Sequence, residues 1–129
     1  MPFLHKPVWS GAQAAAQALL GQQQDKVAFT GLPAQIAPHE LMQAYATQDA
    51  LVDQLVGQRH THVSGYKIAI TTPVMREFVG FDDAISGCVL ADTVFQTGHT
   101  VNANAFQNLI IEFELALQFA CDLPVTGMA

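Results

Sequence analysis

Residues 109–120 read Leu-Ile-Ile-Glu-Phe-Glu-Leu-Ala-Leu-Gln-Phe-Ala. Leu109, Ile111, Phe113, Leu115, Leu117 and Phe119 fall on one parity; Ile110, Glu112, Glu114, Ala116 and Gln118 fall on the other. A period of two predicts a strand, the clearest in the chain, with one greasy face and one face carrying two glutamates. Burying six large apolar side chains is worth roughly 9–18 kcal/mol as an upper estimate, so such a strand holds one register. Side chains two residues apart on a strand sit ~6.5–7 Å apart and point the same way. Glu112 and Glu114 can therefore converge on one hard divalent cation, with water or a substrate oxygen completing the shell. The alternative is that they decorate a solvated sheet face. Ile110 and Ala116 flank them and favour a partly covered pocket.

Upstream, Val63 to Thr71 also alternates, with Tyr66, Ile68 and Ile70 on one side and Gly65, Lys67 and Ala69 on the other. Lys67 shares its side with small residues, which leaves room for a ligand. A lysine there can bind a substrate carboxylate or relay a proton, or else serve only as an edge-strand guard against aggregation. Thr72-Pro73 predicts a helix cap and first position, with the helix running to about Val79 and ending at Gly80. Gly87 to Ala91 is predicted as a strand, and Thr93–Gln96 with Thr100–Asn102 as a hairpin about Thr97-Gly98.

The first sixty residues have a helical period. Ser10 is expected to cap a helix from Gly11 to about Gln23, followed by a polar connection from Gln24 to Ala37 broken by Gly31 and Pro33. A second helix is expected to start at Pro38 and end near Gly57. Leu41, Ala44, Tyr45, Gln48, Leu51, Val52, Leu55 and Val56 make its apolar stripe. Trp9 and Phe3 are expected to pack the N-terminal segment onto the core. The fold class is thus α+β, with a helical region over 1–60 and a β-rich region over 61–129.

Composition narrows the function. The 129 residues are 50% hydrophobic and 12% charged, which supports a packed core over disorder. Five Lys+Arg against eleven Asp+Glu give a net charge of −6, with no clustered basic footprint for nucleic acid. No apolar run is long enough to span a membrane, and the N-terminus lacks a secretory-signal pattern. Cys88 and Cys121 belong to no CxxC pair and read as reduced core thiols of a cytoplasmic protein. From Glu77 onward there are only acids (Glu77, Asp82, Asp83, Asp92, Glu112, Glu114, Asp122) and no Lys or Arg. Carboxylates without an internal cation must be solvated, protonated or bound to metal. His60-Thr-His62 has metal-pair spacing, but its place at a helix end suits dipole partners better. His5, His39 and His99 read as surface residues.

Gly65-Tyr-Lys-Ile-Ala-Ile-Thr-Thr-Pro-Val-Met75 resembles the "GYKIGLTSPAxQ" segment of the 2-keto-4-pentenoate hydratase family. That family, with the 4-oxalocrotonate decarboxylases, belongs to the fumarylacetoacetate hydrolase fold superfamily. Gly80-Phe-Asp, the strand from Gly87 to Asp92, Thr97-Gly98 and Ile111-Glu-Phe-Glu-Leu-Ala116 follow in the family's order, and Ala44-Tyr45 and Gln48 match its helical lead-in. The resemblance covers roughly residues 12–124. It implies N-terminal helices packed on an incomplete mixed β-roll, with Glu112 and Glu114 as metal ligands for Mg²⁺ (or Mn²⁺) and Lys67 as the active-site lysine. The implied substrates are short 2-oxo or 2-hydroxydienoic acids from aromatic catabolism, the metal chelating the carboxylate and the 2-oxygen as an enolate develops. A hydratase then adds water at the distal alkene carbon; a decarboxylase reaches the enolate by losing CO₂.

Ile85 stands where the family often carries Asp, Leu109-Ile110 where it has "PR", and Ala69 where Gly is common. The family's third metal carboxylate lies beyond the acidic pair, and Asp122 is too far along the strand to replace it. The chain is therefore expected to be the N-terminal half of a hydratase, with an uncovered apolar face that predicts self-association or replacement pairing. The family also tends to form large homo-oligomers. The competing reading is a catalytically silent homologue that uses this face as a self-associating binding module. A carbon–carbon hydrolase of the same superfamily would need an acid/base group that the sequence does not supply.

Overall fold

The computed structural model describes residues 7–106 and 109–121. Phe3, His5 and Asp122 lie outside that range. Two helices, α1 (Ala12–Gln24) and α2 (Leu41–Arg59), precede strand β1 (Val63–Ala69), helix α3 (Pro73–Val79) and strand β2 (Ile85–Leu90). Short 3₁₀ turns follow at Ala91–Thr93 and Ala103–Ala105. The class is α+β, as expected.

Alanine decides how the helices meet. Ala12, Ala15, Ala16 and Leu20 of α1 and Ala46, Thr47 and Ala50 of α2 are buried, with Trp9 and Leu51 packed against this cluster. Small side chains let two helix backbones approach closely, so the seam is lined by methyl groups in place of the larger stripe expected for α2. Thr47 satisfies its hydroxyl by donating to the Gln43 carbonyl, 2.9 Å away. The larger residues flank the seam: Ala44 and Leu51 line an apolar cleft, while Tyr45 and Gln48 reach the sheet. Trp9 joins the core as expected, and it leaves no space at Gly11, where a Cβ would sit 2.4 Å from Trp9 Cζ2.

Helix boundaries depart from the sequence reading in three places. Ser10 does not cap α1; Gly11 occupies the cap position without a side-chain bond. Pro38 does not start α2; Glu40 is its cap residue, and the Gln43 side chain reaches back to accept from the His39 N–H at 2.8 Å. That is the return half of a capping box displaced by one residue, and it satisfies a donor that proline could not supply. Gly57 does not end α2, which continues to a left-handed cap at His60, φ 51°. Glycine permits that conformation but does not compel it. By contrast, α3 begins and ends as expected: the Thr72 hydroxyl accepts from the Met75 N–H at 3.3 Å, Pro73 opens the helix, and Gly80 closes it at φ 69°.

The sheet has two antiparallel strands, with Lys67 opposite Gly87 and Ala69 opposite Ile85. An irregularity between Val63 and Gly65 resets the register, and the Ser64 hydroxyl there donates to the Val89 carbonyl. β1 stops at Ala69 and not at Thr71, because Ile70 takes a left-handed φ of 55°. Arg76 holds that bend by donating from Nε to the Ile70 carbonyl at 3.2 Å. The expected hairpin forms as a turn only: His99 N–H donates to Gln96 O around Gly98 (φ 91°), with no strands flanking it.

The predicted strand at Leu109–Ala120 is the main correction. Residues 109–119 join no ladder, and their large apolar side chains are exposed. The expected burial of this face does not occur among the described residues. Alternation reports which side chains would be buried together; it does not supply the neighbouring strand. Cys121 is likewise exposed and Cys88 half-buried, so neither is a fully buried core residue.

Candidate functional site

The site is organised on Lys67. Its position on β1 is set by the ladder, and its cross-strand partner Gly87 carries no side chain to obstruct it; a Cβ there would lie 3.9 Å from Lys67 Cγ. The stem can therefore lie across the sheet and deliver the ammonium beyond it. There it meets both glutamates. Lys67 Nζ is 3.4 Å from Glu112 Oε2 and 3.8 Å from Glu114 Oε1.

The three sequence-selected residues thus come together, although the element that brings the glutamates is not the strand expected. Glu112 and Glu114 reach the same nitrogen, so they share a side of the 109–119 segment; the intervening residues turn away. Fractional side-chain exposure is 46% for Lys67, 64% for Glu112 and 54% for Glu114. At that exposure each pair contributes about 0–1 kcal/mol. The cluster is weak as a staple and open to solvent and ligand.

Electrostatically the site holds two carboxylates and one ammonium. The donors are hard oxygens, as Mg²⁺ or Mn²⁺ prefers, and Mg²⁺ is commonly held by only one or two carboxylates with water filling the rest of its shell. The point both oxygens face is the Lys67 ammonium, so an ion would have to sit beside it; the exposed side chains of Glu112 and Glu114 have room to turn toward such a position. Among the described residues, no group of three or more His, Cys, Asp or Glu comes together, so an all-protein cage is not the arrangement offered.

No family model, curated protein or solved structure matches this chain. The site therefore has to be read from its own chemistry.

Two features escaped the sequence reading. Tyr45 and Gln48, one helical turn apart on α2, grip both backbone groups of Ser86 on β2. The Ser86 N–H donates to Tyr45 Oη at 3.1 Å, and Gln48 Nε2 donates to the Ser86 carbonyl at 3.0 Å. This pair supplies the hydrogen bonds that a third strand would otherwise make along the β2 edge, and it fixes the helices relative to the strand facing Lys67. Their i, i+3 spacing was visible in the sequence, but not their target. A second link is Arg59 to Asp92 at 3.6 Å, beside the Asp92 N–H bond to Thr61 Oγ1.

The other feature is an apolar cleft of about 390 Å³ between the helices and the 29–38 connection, lined by Leu19, Phe29, Leu32, Ala44 and Leu51 among others. It contains none of the three charged side chains, and no reacting group faces it. The described histidines, His39, His60, His62 and His99, are exposed. His60 is the α2 cap, and His99 stacks on Phe95 with centroids 4.0 Å apart. Among the described residues no helix is long and apolar enough to cross a membrane.

Proposed function

We propose that this chain carries the acidic-pair and lysine half-site of a metal-dependent hydro-lyase acting on short 2-hydroxydienoic acids of the 2-hydroxypenta-2,4-dienoate type. The observation that carries this reading is the convergence of Glu112 and Glu114 on the Lys67 ammonium. Supporting it are the ordered motifs from Gly65 to Ala116 that resemble the 2-keto-4-pentenoate hydratases; the reading carries with it a fumarylacetoacetate hydrolase-type fold and a cytoplasmic setting as further proposals.

Glu112 and Glu114 would hold Mg²⁺ or Mn²⁺. When bound, the ion supplies positive charge where negative charge develops on the 2-oxygen of the acid. Lys67 has three N–H donors, one of which Glu112 engages at 3.4 Å while Glu114 stands at 3.8 Å; another can orient the substrate carboxylate. Lys67 is placed to donate one of these protons to the terminal carbon of the dienol and recover a proton as the 2-hydroxyl becomes the ketone, which would leave a 2-oxo-3-enoate. Addition of water at the distal alkene carbon then yields a 4-hydroxy-2-oxo acid.

Calorimetric titration with Mg²⁺, with and without a 2-oxo acid, tests the reading. Binding is expected, enhanced by the acid, and abolished in Glu112→Ala. Unchanged binding in that variant would remove the assignment.

A further inference from the structure

The apolar cleft between the helices and the connection joining them takes no part in the Lys67 site. It encloses about 390 Å³, toward the lower end of small-molecule pockets, which span roughly 300–1,000 Å³. Leu19, Leu32, Ala44 and Leu51 give it a hydrocarbon wall. Among the described residues only two that line it are polar, and both side chains are bonded elsewhere. Thr47 Oγ1 donates to the Gln43 carbonyl at 2.9 Å, and Gln48 Nε2 donates to the Ser86 carbonyl at 3.0 Å. No described lining residue is charged. Water in such a space finds few partners, so an apolar occupant displaces it at little cost.

The outer wall is loosely attached. Residues 25–40 join α1 to α2 with neither helix nor strand. Irregular connections of that length are uncommon except as lids, binding loops or linkers. Gln22 ties this one to α1, but its Nε2 reaches the Gly31 carbonyl at a long 3.4 Å, and its amide oxygen is buried without a partner among the described residues. Phe29 lines the cleft yet is 65% exposed. Closure of the connection over an occupant would bury that ring.

We propose that this cleft binds a neutral small molecule with a hydrocarbon body, held by apolar burial beneath the Phe29 connection. The lining chemistry selects that occupant over the others. An extended peptide brings backbone N–H and C=O groups that the lining cannot partner. A fatty acid brings a carboxylate to a wall without a cation, on a chain of net charge −6. A neutral molecule meets neither penalty. The three charged side chains of the Lys67 cluster lie outside the cleft, so this site is independent of the proposed metal site.

Fluorescence titration of the full chain with N-phenylnaphthylamine, a neutral apolar probe, reads the outcome directly. The expected result is saturable enhancement with one probe per chain, unaffected by EDTA. Octanol should displace the probe; octanoate, with the same carbon count and a negative charge, should do so at least about tenfold less well. Ala44→Phe fills the cleft and should raise the probe's Kd at least about tenfold, with far-UV circular dichroism to check folding. Phe29→Ser, at an exposed position that folding does not need, should raise Kd about threefold. Phe113→Ser/Leu115→Ser, which removes exposed apolar groups from the 109–119 segment, should bind the probe as wild type does. Absence of saturable binding would overturn the proposal. So would unchanged binding in a folded Ala44→Phe or in Phe29→Ser, loss of binding in Phe113→Ser/Leu115→Ser, or displacement by octanoate as strong as by octanol.

Discussion

Replacing Lys67 with Met should strengthen Mg²⁺ binding while weakening that of the acid. The reasoning is Coulombic. An ion about 2.1 Å from Glu112 Oε2, which itself stands 3.4 Å from Lys67 Nζ, is held roughly 5 Å from the ammonium. Two charges on the ion against one on the lysine repel by about 1.5 kcal/mol at that distance even at the dielectric constant of water, and by more where the sheet displaces solvent. Methionine keeps the length and packing of the stem and removes that charge, so the Mg²⁺ dissociation constant should fall roughly tenfold. Isothermal titration at about 10 mM ionic strength suits the measurement, since the Debye length there is ~30 Å; at 0.15 M it is ~8 Å and part of the effect is lost. Affinity for a 2-oxo acid in the presence of saturating Mg²⁺ should fall in the same variant. If Lys67→Met binds Mg²⁺ as wild type does, or more weakly, the ion does not sit between these carboxylates beside the lysine, and the site as drawn is wrong.

Three structural predictions can be checked by thermal melts. Tyr45→Phe removes the acceptor for the Ser86 N–H and should cost about 1 kcal/mol, lowering Tm by roughly 3–5 °C; no shift would show that the α2–β2 link is dispensable. Gly11→Ala drives a methyl group into the Trp9 ring and should cost about 1–3 kcal/mol, with a change in tryptophan fluorescence as the indole is displaced. His60→Gly relieves the left-handed strain at the exposed α2 cap and should stabilise by about 0.5–1 kcal/mol; destabilisation would mean that the imidazole makes a contact the cap geometry does not reveal.

The amino-acid sequence by itself determined the features whose causes are local. The Thr72 cap, Pro73 and Gly80 bound α3 through bonds within one turn of chain. The alternation around Lys67 placed it on a strand, and the i, i+2 spacing of Glu112 and Glu114 put both carboxylates on one side. Tertiary structure decided everything that depends on a distant partner. Pro38 and Gly57 are signals a helix can ignore, and α2 runs from Leu41 to Arg59 because its ends are settled by Gln43 reaching His39 and by His60 turning left-handed. The most regular alternation in the chain forms no strand among the described residues, since a ladder requires a second backbone and periodicity encodes only a preference for burial. That Tyr45 and Gln48 would close on Ser86, about forty residues downstream, depends on how α2 packs against β2, a contact between distant segments that helical spacing does not encode.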